Sequence, residues 1–211
     1  MHHLDVELLR RAYHALNRNA ARGVDGLSWQ EYGQQLDARL HDLHRRIHSG
    51  RYRPQPVRRV WIPKADGRRR PLGVTSVEDK LVQQALVFVL NPIYETDFKG
   101  FSYGFRPGRS QHDALDALHV ALTQRKVSWI LDTDISAFFD SVEHQWLLKF
   151  VAHRVADRRV LRLVEQTLTA GVMEDGQWHP TKSCTPQGGV LSPLLANVYL
   201  HYSLDLCVDA W

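Results

Sequence analysis

The chain has 211 residues, 44% of them hydrophobic, which is enough to bury a core in one large or two small domains. No apolar run approaches the ~20 residues of a membrane span, and the opening Met1-His2-His3-Leu4-Asp5 lacks the basic-then-apolar pattern of a signal peptide, so the expectation is a cytoplasmic protein without a membrane partner. The formal net charge is +4, but the segment Arg45–Arg70 holds ten of the 27 lysines and arginines and only one of the 23 acids, Asp66, leaving the remainder net negative.

In chain order, residues 4–18 read as a helix, with Leu4, Leu8, Leu9, Ala12 and Leu16 near one face. Asn19 to Gly26 is a glycine-punctuated loop. Ser28 followed by Glu31 suggests a capping box for a second helix to about His48, stopped by Ser49-Gly50. The basic block comes next. With Tyr52 and Trp61 inside it, it is an electrostatic footprint for a polyanion, and Val57, Val60, Trp61 and Ile62 argue that it folds. Residues 57–63 and 69–73 flank an Ala65-Asp66-Gly67 turn and predict a β-hairpin. Lys64 and Arg70 stand on its opposite arms. Such a pair suits a triphosphate, Arg as a bidentate fork and Lys as a point charge, although the spacing alone favours ordinary hairpin surface charge.

Thr75 to Asp79 starts a helix that runs to about Leu90, ended or kinked by Asn91-Pro92. Phe101 to Ser110 is an aromatic, basic, glycine-rich loop. It can follow a nucleic-acid backbone while stacking on a base, or be a rigid turn pinned by buried aromatics. Ser110 caps a helix to about Gln124. Ser128-Trp129-Ile130-Leu131-Asp132-Thr133-Asp134-Ile135-Ser136-Ala137-Phe138-Phe139-Asp140 opens as a short apolar run, the pattern of a buried strand. It closes with three acids and two aromatics, which a buried strand does not favour. A carboxylate at a strand end facing a cleft suits Mg²⁺, which takes oxygen ligands from one or two carboxylates plus substrate phosphates. Two such ions can clamp both oxygens of a phosphoryl transfer. Asp-x-Asp is also a common tripeptide, and Asp140 to Glu143 reads as a helix N-cap with its N3 acid.

Further helices are expected at 143–154 and 157–170, ending at Gly171. Glu174 to Gln177 is a hairpin turn between short strands. Thr185-Pro186-Gln187-Gly188-Gly189-Val190-Leu191-Ser192-Pro193 then leads into a helix towards Tyr202, with Ser192 as N-cap and Pro193 at the first position. Cys184 and Cys207 have no metal-ligand spacing, and nearly all of the twelve scattered histidines read as surface residues.

The order of these blocks carries more than any one of them. A basic hairpin, Arg70-Pro71-Leu72-Gly73, Ser102 to Ser110, Asp134-Ile135-x-x-Phe138-Phe139-Asp140 and Thr185 to Asn197 together resemble a reverse transcriptase, more narrowly the group II intron-encoded type. The resemblance covers nearly the whole chain. It implies an α+β right-hand polymerase, with helices packed on a small antiparallel sheet. Residues 1–125 would be the N-terminal extension and fingers, and 126–211 a partial palm with upper fingers elements. It implies RNA-directed DNA synthesis from dNTPs onto a primer on an RNA template, with two Mg²⁺ ions and with intron RNA binding and splicing in the intact protein. Asp134 corresponds to the catalytic, metal-binding aspartate, and the Ile135 carbonyl would touch a metal. Phe138 or Phe139 would exclude a 2′-OH, depending on one residue of register. Lys64, Arg70, Gln187 and Gly188 would contact the nucleotide, and Arg58, Arg59, Arg106 and Arg109 the nucleic acid.

One block of the family is missing. An aromatic-Ala-Asp-Asp turn supplies the second carboxylate in that family, and this sequence has no Asp-Asp pair. Asp132 should lie on the same side of the strand as Asp134 but about 7 Å along it, and Asp140 is better placed to cap the next helix. The expectation is therefore that the 211-residue chain alone does not polymerise, as a fragment, a frameshifted copy or half of a split enzyme whose second polypeptide carries the Ala-Asp-Asp block. An apolar strand edge would then lie open. The alternatives are a non-catalytic fragment that grips structured RNA and a CRISPR-associated, retron or diversity-generating reverse transcriptase. A glycosyltransferase-like Asp-x-Asp site would leave the other blocks unexplained.

Overall fold

The computed structural model describes residues 1–63, 67, 69–181 and 188–210. The helices are α1 (Val6–Ala15), α2 (Trp29–Gly33), α3 (Leu36–His48), α4 (Val77–Tyr94), α5 (Gln111–Gln124), α6 (Phe138–Ser141), α7 (His144–Arg154), α8 (Arg158–Leu168), α9 (Ser192–Leu200) and α10 (Leu206–Asp209). A π-helical turn, His201–Asp205, joins the last two. The strands are β1 (Val57–Pro63), β2 (Arg69–Val74), β3 (Val172–Glu174) and β4 (Gln177–His179). Among the described residues no helix is long and apolar enough to cross a membrane.

The core forms around α4. Its Leu81, Val82, Ala85, Leu86, Leu90 and Tyr94 are almost wholly buried, as are Leu9, Leu40, Leu43, Leu147, Val164 and Val198 on the helices around it. Ser76 starts α4 by accepting from the Asp79 N–H. The helix runs through Pro92, past the expected stop near Leu90. Proline costs one bond to the preceding turn, but buried Tyr94 ties the last turn down through its hydroxyl to the Val151 carbonyl. Tyr13 and Trp29 stack at 4.3 Å and exchange hydrogen bonds with each other's carbonyls. Gly33 meets the Tyr13 hydroxyl where a β-carbon would collide. The predicted second helix accordingly divides into α2, with the capping box intact, and α3.

The α+β class holds. The four strands lie in the order β2-β1-β3-β4. Two antiparallel hairpins are joined by one parallel pairing, Val57 opposite Val172, where the expectation was antiparallel throughout. Asp175 and Gly176, both at positive φ, make the two-residue β3–β4 turn.

Three local expectations are corrected. Residues 128–132 are not a buried strand. The stretch 126–135 carries no regular secondary structure, and Trp129 and Leu131 are 92% and 85% exposed. A strand needs a neighbour's hydrogen bonds, and none of the four described strands pairs with this stretch. Asp140 does not cap the next helix. It lies inside α6, and Glu143 is the N-cap of α7, without a side-chain bond. Buried, extended Val142 separates the two helices. Ser192 is the first residue of α9, not its cap, which is Leu191. Among the histidines, His144 and His201 are buried.

Candidate nucleotide and nucleic-acid site

Gly188 meets the basic hairpin at β2. Gly188 has φ +106°, and a β-carbon there would lie 2.6 Å from the Gly73 carbonyl of β2 and 2.9 Å from Leu72 Cδ1. Only glycine permits both the conformation and the approach. Leu191, three residues on, is held to α4, because its N–H donates to Gln83 Oε1 at 3.3 Å. Arg70 is exposed on β2 opposite Ile62, on the same strand that Gly188 touches. Lys64 and Gln187 lie outside the described residues.

The second half of the site is linked to the first by α9. Near its end, Tyr199 meets Phe138 edge-on at 6.1 Å. The start of α9 and Tyr199 are separated by about 10 Å along the helix. Phe138 packs against the core, whereas Phe139 is half-buried and touches Phe138 edge-on at 5.5 Å. Ala137, in the left-handed region at φ 50°, turns the chain between Ile135 and these rings. Asp134 and Ile135 are exposed in the unpaired stretch. Asp134 and Phe138 are four positions apart, so their backbones are at most about 14 Å apart.

The four candidate arginines are all engaged within the chain, Arg106 most fully. Arg106 is only 7% exposed. Its guanidinium donates to both Glu95 carboxylate oxygens and to the Lys99 and Ser102 carbonyls, and it sits 5.3 Å over the Phe98 ring. It holds the 99–109 loop together from inside, so the loop is pinned by a buried arginine and not by the buried aromatics expected, Phe101 and Phe105 being exposed. Arg109 is half-buried, over the Tyr103 ring and donating to the Gly100 carbonyl. Arg58 forks onto the Arg22 carbonyl. Arg59 lies over the Trp61 ring and 3.6 Å from Glu174, whose Oε1 accepts from Trp61 Nε1.

Two contacts escaped the sequence reading. Lys80 is buried on α4, donates to the Ala21 carbonyl at 2.6 Å, and has its pKa lowered by that burial. With Arg58 and Gly23, which abuts Ser76, it pins the 19–26 loop. Asn197 donates to the Gly104 carbonyl at 2.7 Å and ties α9 to the 99–109 loop. Its signal was available: it is a lone polar residue in the apolar run 194–200. Lys80, in the first turn of a capped helix, carries no such mark.

The family profile described as Reverse transcriptase (RNA-dependent DNA polymerase) matches residues 62–210. The chain belongs to the reverse transcriptase family. It is 40% identical over 182 residues to Protein YkfC of Escherichia coli, covering 85% of this chain and 48% of that protein. It is 37% identical over 191 residues to the group II intron-encoded protein LtrA of Lactococcus lactis, covering 90% of this chain and 32% of LtrA. The chain thus spans half or less of these relatives. A chain of the partial Cas6-RT-Cas1–Cas2 complex superposes with a TM-score of 0.63 over 99% of this chain and 34% of its own, at 19% identity. That likeness establishes the fold alone.

Reverse transcriptases generally use Mg²⁺. The donors here, an exposed carboxylate at Asp134 and the Ile135 carbonyl, are the hard oxygens that ion prefers, and Mg²⁺ needs only one or two carboxylates beside water and phosphate. Among the described residues no three His, Cys, Asp or Glu side chains converge on a metal position. The residues present therefore fit part of a Mg²⁺ shell.

Proposed function

We propose that this chain is the fingers and leading palm portion of a group II intron-type, RNA-directed DNA polymerase. The observation that supports this best is the seating of Gly188 on Gly73, which couples the family's Pro-Gln-Gly turn to the strand that carries Arg70. Residues 1–125 serve as N-terminal extension and fingers, and 126–211 as the first part of the palm. Lys64 and Arg70 hold the triphosphate of the incoming dNTP, and Gln187 and Gly188 back the nucleotide against the template. Phosphoryl transfer asks chiefly for alignment and charge neutralisation, and Mg²⁺ bound by Asp134 and the Ile135 carbonyl would supply the neutralising charge. Phe139 is the better candidate to meet the sugar, because Phe138 is taken up against Tyr199 and the core. A ring beneath the sugar tests for the 2′-OH that distinguishes RNA from DNA.

Arg106 acts from inside, shaping the loop on which Arg109 faces the template. Arg58 and Arg59 contribute charge near the fingers. The unpaired, apolar stretch 127–135 supports a partner that adds strands there and brings the second carboxylate. In the intact protein, intron RNA is the further partner.

The test is primer extension on an RNA template with Mg²⁺ and dNTPs, using the 211-residue chain alone and mixed with a polypeptide carrying a relative's downstream palm. Incorporation is expected in the mixture, and Asp134→Asn should abolish it. Absence of incorporation in every mixture, or full activity of the Asp134→Asn variant, would refute this assignment.

A further inference from the structure

A cavity of about 230 Å³ opens where the last turn of α3 meets the Arg159–Gln166 face of α8. Buried Ile47 and Leu163 line it, together with Arg159, Arg162, His48 and Gln166, and no acid does. The two arginines differ. The Arg159 guanidinium is shared with Asp157 at 3.1 Å, whereas Arg162 is exposed and has no acidic partner among the described residues. Its guanidinium reaches over the end of α3, since a β-carbon on Gly50 would lie 3.6 Å from Arg162 Nη1.

The carbonyl end of a helix repels an anion, but here the Arg45, Arg46 and Ile47 carbonyls are engaged. The Ser49 N–H donates to the Arg45 carbonyl, those of Arg51 and Tyr52 to Arg46, and that of Gly50 to Ile47. The Arg53 guanidinium adds a donor to the Gly50 carbonyl at 2.8 Å. The cavity therefore presents cationic and neutral donors over an apolar floor.

We propose that this cavity seats a phosphate of an RNA backbone, with Arg162 as its principal contact, apart from the candidate polymerase site. Exposed arginines continue beyond the lining in both segments, Arg51 and Arg53 after α3 and Arg158 at the start of α8. A single phosphate has no use for them, but a strand of phosphates does. From Arg162 α8 runs roughly 9 Å to Leu168, and only beyond it does the Gly171 carbonyl accept from Val57 at the start of β1. The principal contact is thus set back from the sheet by the second half of α8. That the polyanion is RNA rests on the family reading, while the charge of the cavity does not.

The experiment measures binding of a labelled RNA hairpin to the full chain by anisotropy across a salt series, without Mg²⁺ or dNTPs, for the parent and for Arg162→Gln. Equal unfolding midpoints check that the exposed substitution leaves the fold intact. Arg162→Gln is expected to weaken binding about 5-fold at low salt and to flatten the slope of log K against log salt by about one contact. Unchanged affinity and slope overturn the proposal. Inorganic phosphate titrated alone separates the sources: if Arg162→Gln abolishes phosphate binding but leaves RNA binding intact, the seat is for a small anion and the proposal is wrong. Primer extension by the Arg162→Gln mixture should stay at the parent level, so failure of the polymerase reading would show separately.

Discussion

α4 and α5 start in the same way and end up in opposite circumstances. Each opens on a serine whose hydroxyl accepts from the backbone N–H three residues on, and each carries a spread of leucines and valines. α4 is buried on nearly every side. α5 buries nothing, and its Leu115, Leu118, Val120 and Leu122 are more than two-fifths exposed, as are Trp129, Ile130 and Leu131 just beyond it. Caps and propensity can start a helix, but a 14-residue helix without tertiary packing is marginal in water. Helix α5 is folded locally, and the stretch 126–135 beyond it is exposed.

The largest expected consequence is in hydrogen exchange. The amides of Leu81 to Leu90 should open only with the whole fold, whereas those of α5 open locally. With a global stability of about 5–15 kcal/mol, protection on α4 should exceed that on α5 by about 1,000-fold or more. Equal protection of the two helices would break the comparison and mean that α5 is covered in solution. A smaller effect of the same kind is expected from substitution. Leu86→Ala empties a fully buried position and should cost about 2–5 kcal/mol, while Leu118→Ala should stay within about 0.5 kcal/mol, both read from urea unfolding. If the downstream palm polypeptide covers α5, Leu118→Ala should become costly in the mixture.

The same contrast explains what the sequence could reveal. Elements whose signal is local were legible: the capping box at Ser28, the Ser76 and Ser110 starts, the hairpin around Gly67 and the Asp175-Gly176 turn. The strand expected at 128–132 was not, because an apolar run specifies burial without specifying the neighbour, and here no described strand pairs with it. At the candidate site, residue types gave the chemistry but not the geometry. Arg106 reads as a loop cation until Glu95, eleven residues earlier, is found closing on it. The parallel join of β1 to β3 pairs residues 115 apart, such as Val57 and Val172, and no local pattern announces it.

The smallest expected effect is at the other extreme of the packed region, where the chain's first residue is held. The Met1 ammonium donates to Asp157 Oδ2 at 2.8 Å, and Met1 itself is buried. Hydrogen bonds from Arg159, with help from the Met1 ammonium, hold the Asp157 carboxyl well below the usual carboxylate range. A carboxyl depressed in the folded state stabilises it above its unfolded pKa of about 3.9, and that stabilisation fades as pH falls towards the folded value. Asp157 is about one-third exposed, so solvent screens the pair and the contribution should be no more than about 1 kcal/mol. Asp157→Asn should therefore lower the urea midpoint slightly at pH 7, and the gap from the parent should narrow as the pH is taken below 4. A gap that widens on acidification would mean that this carboxylate destabilises the fold when ionised, and that the packed region ends before Met1.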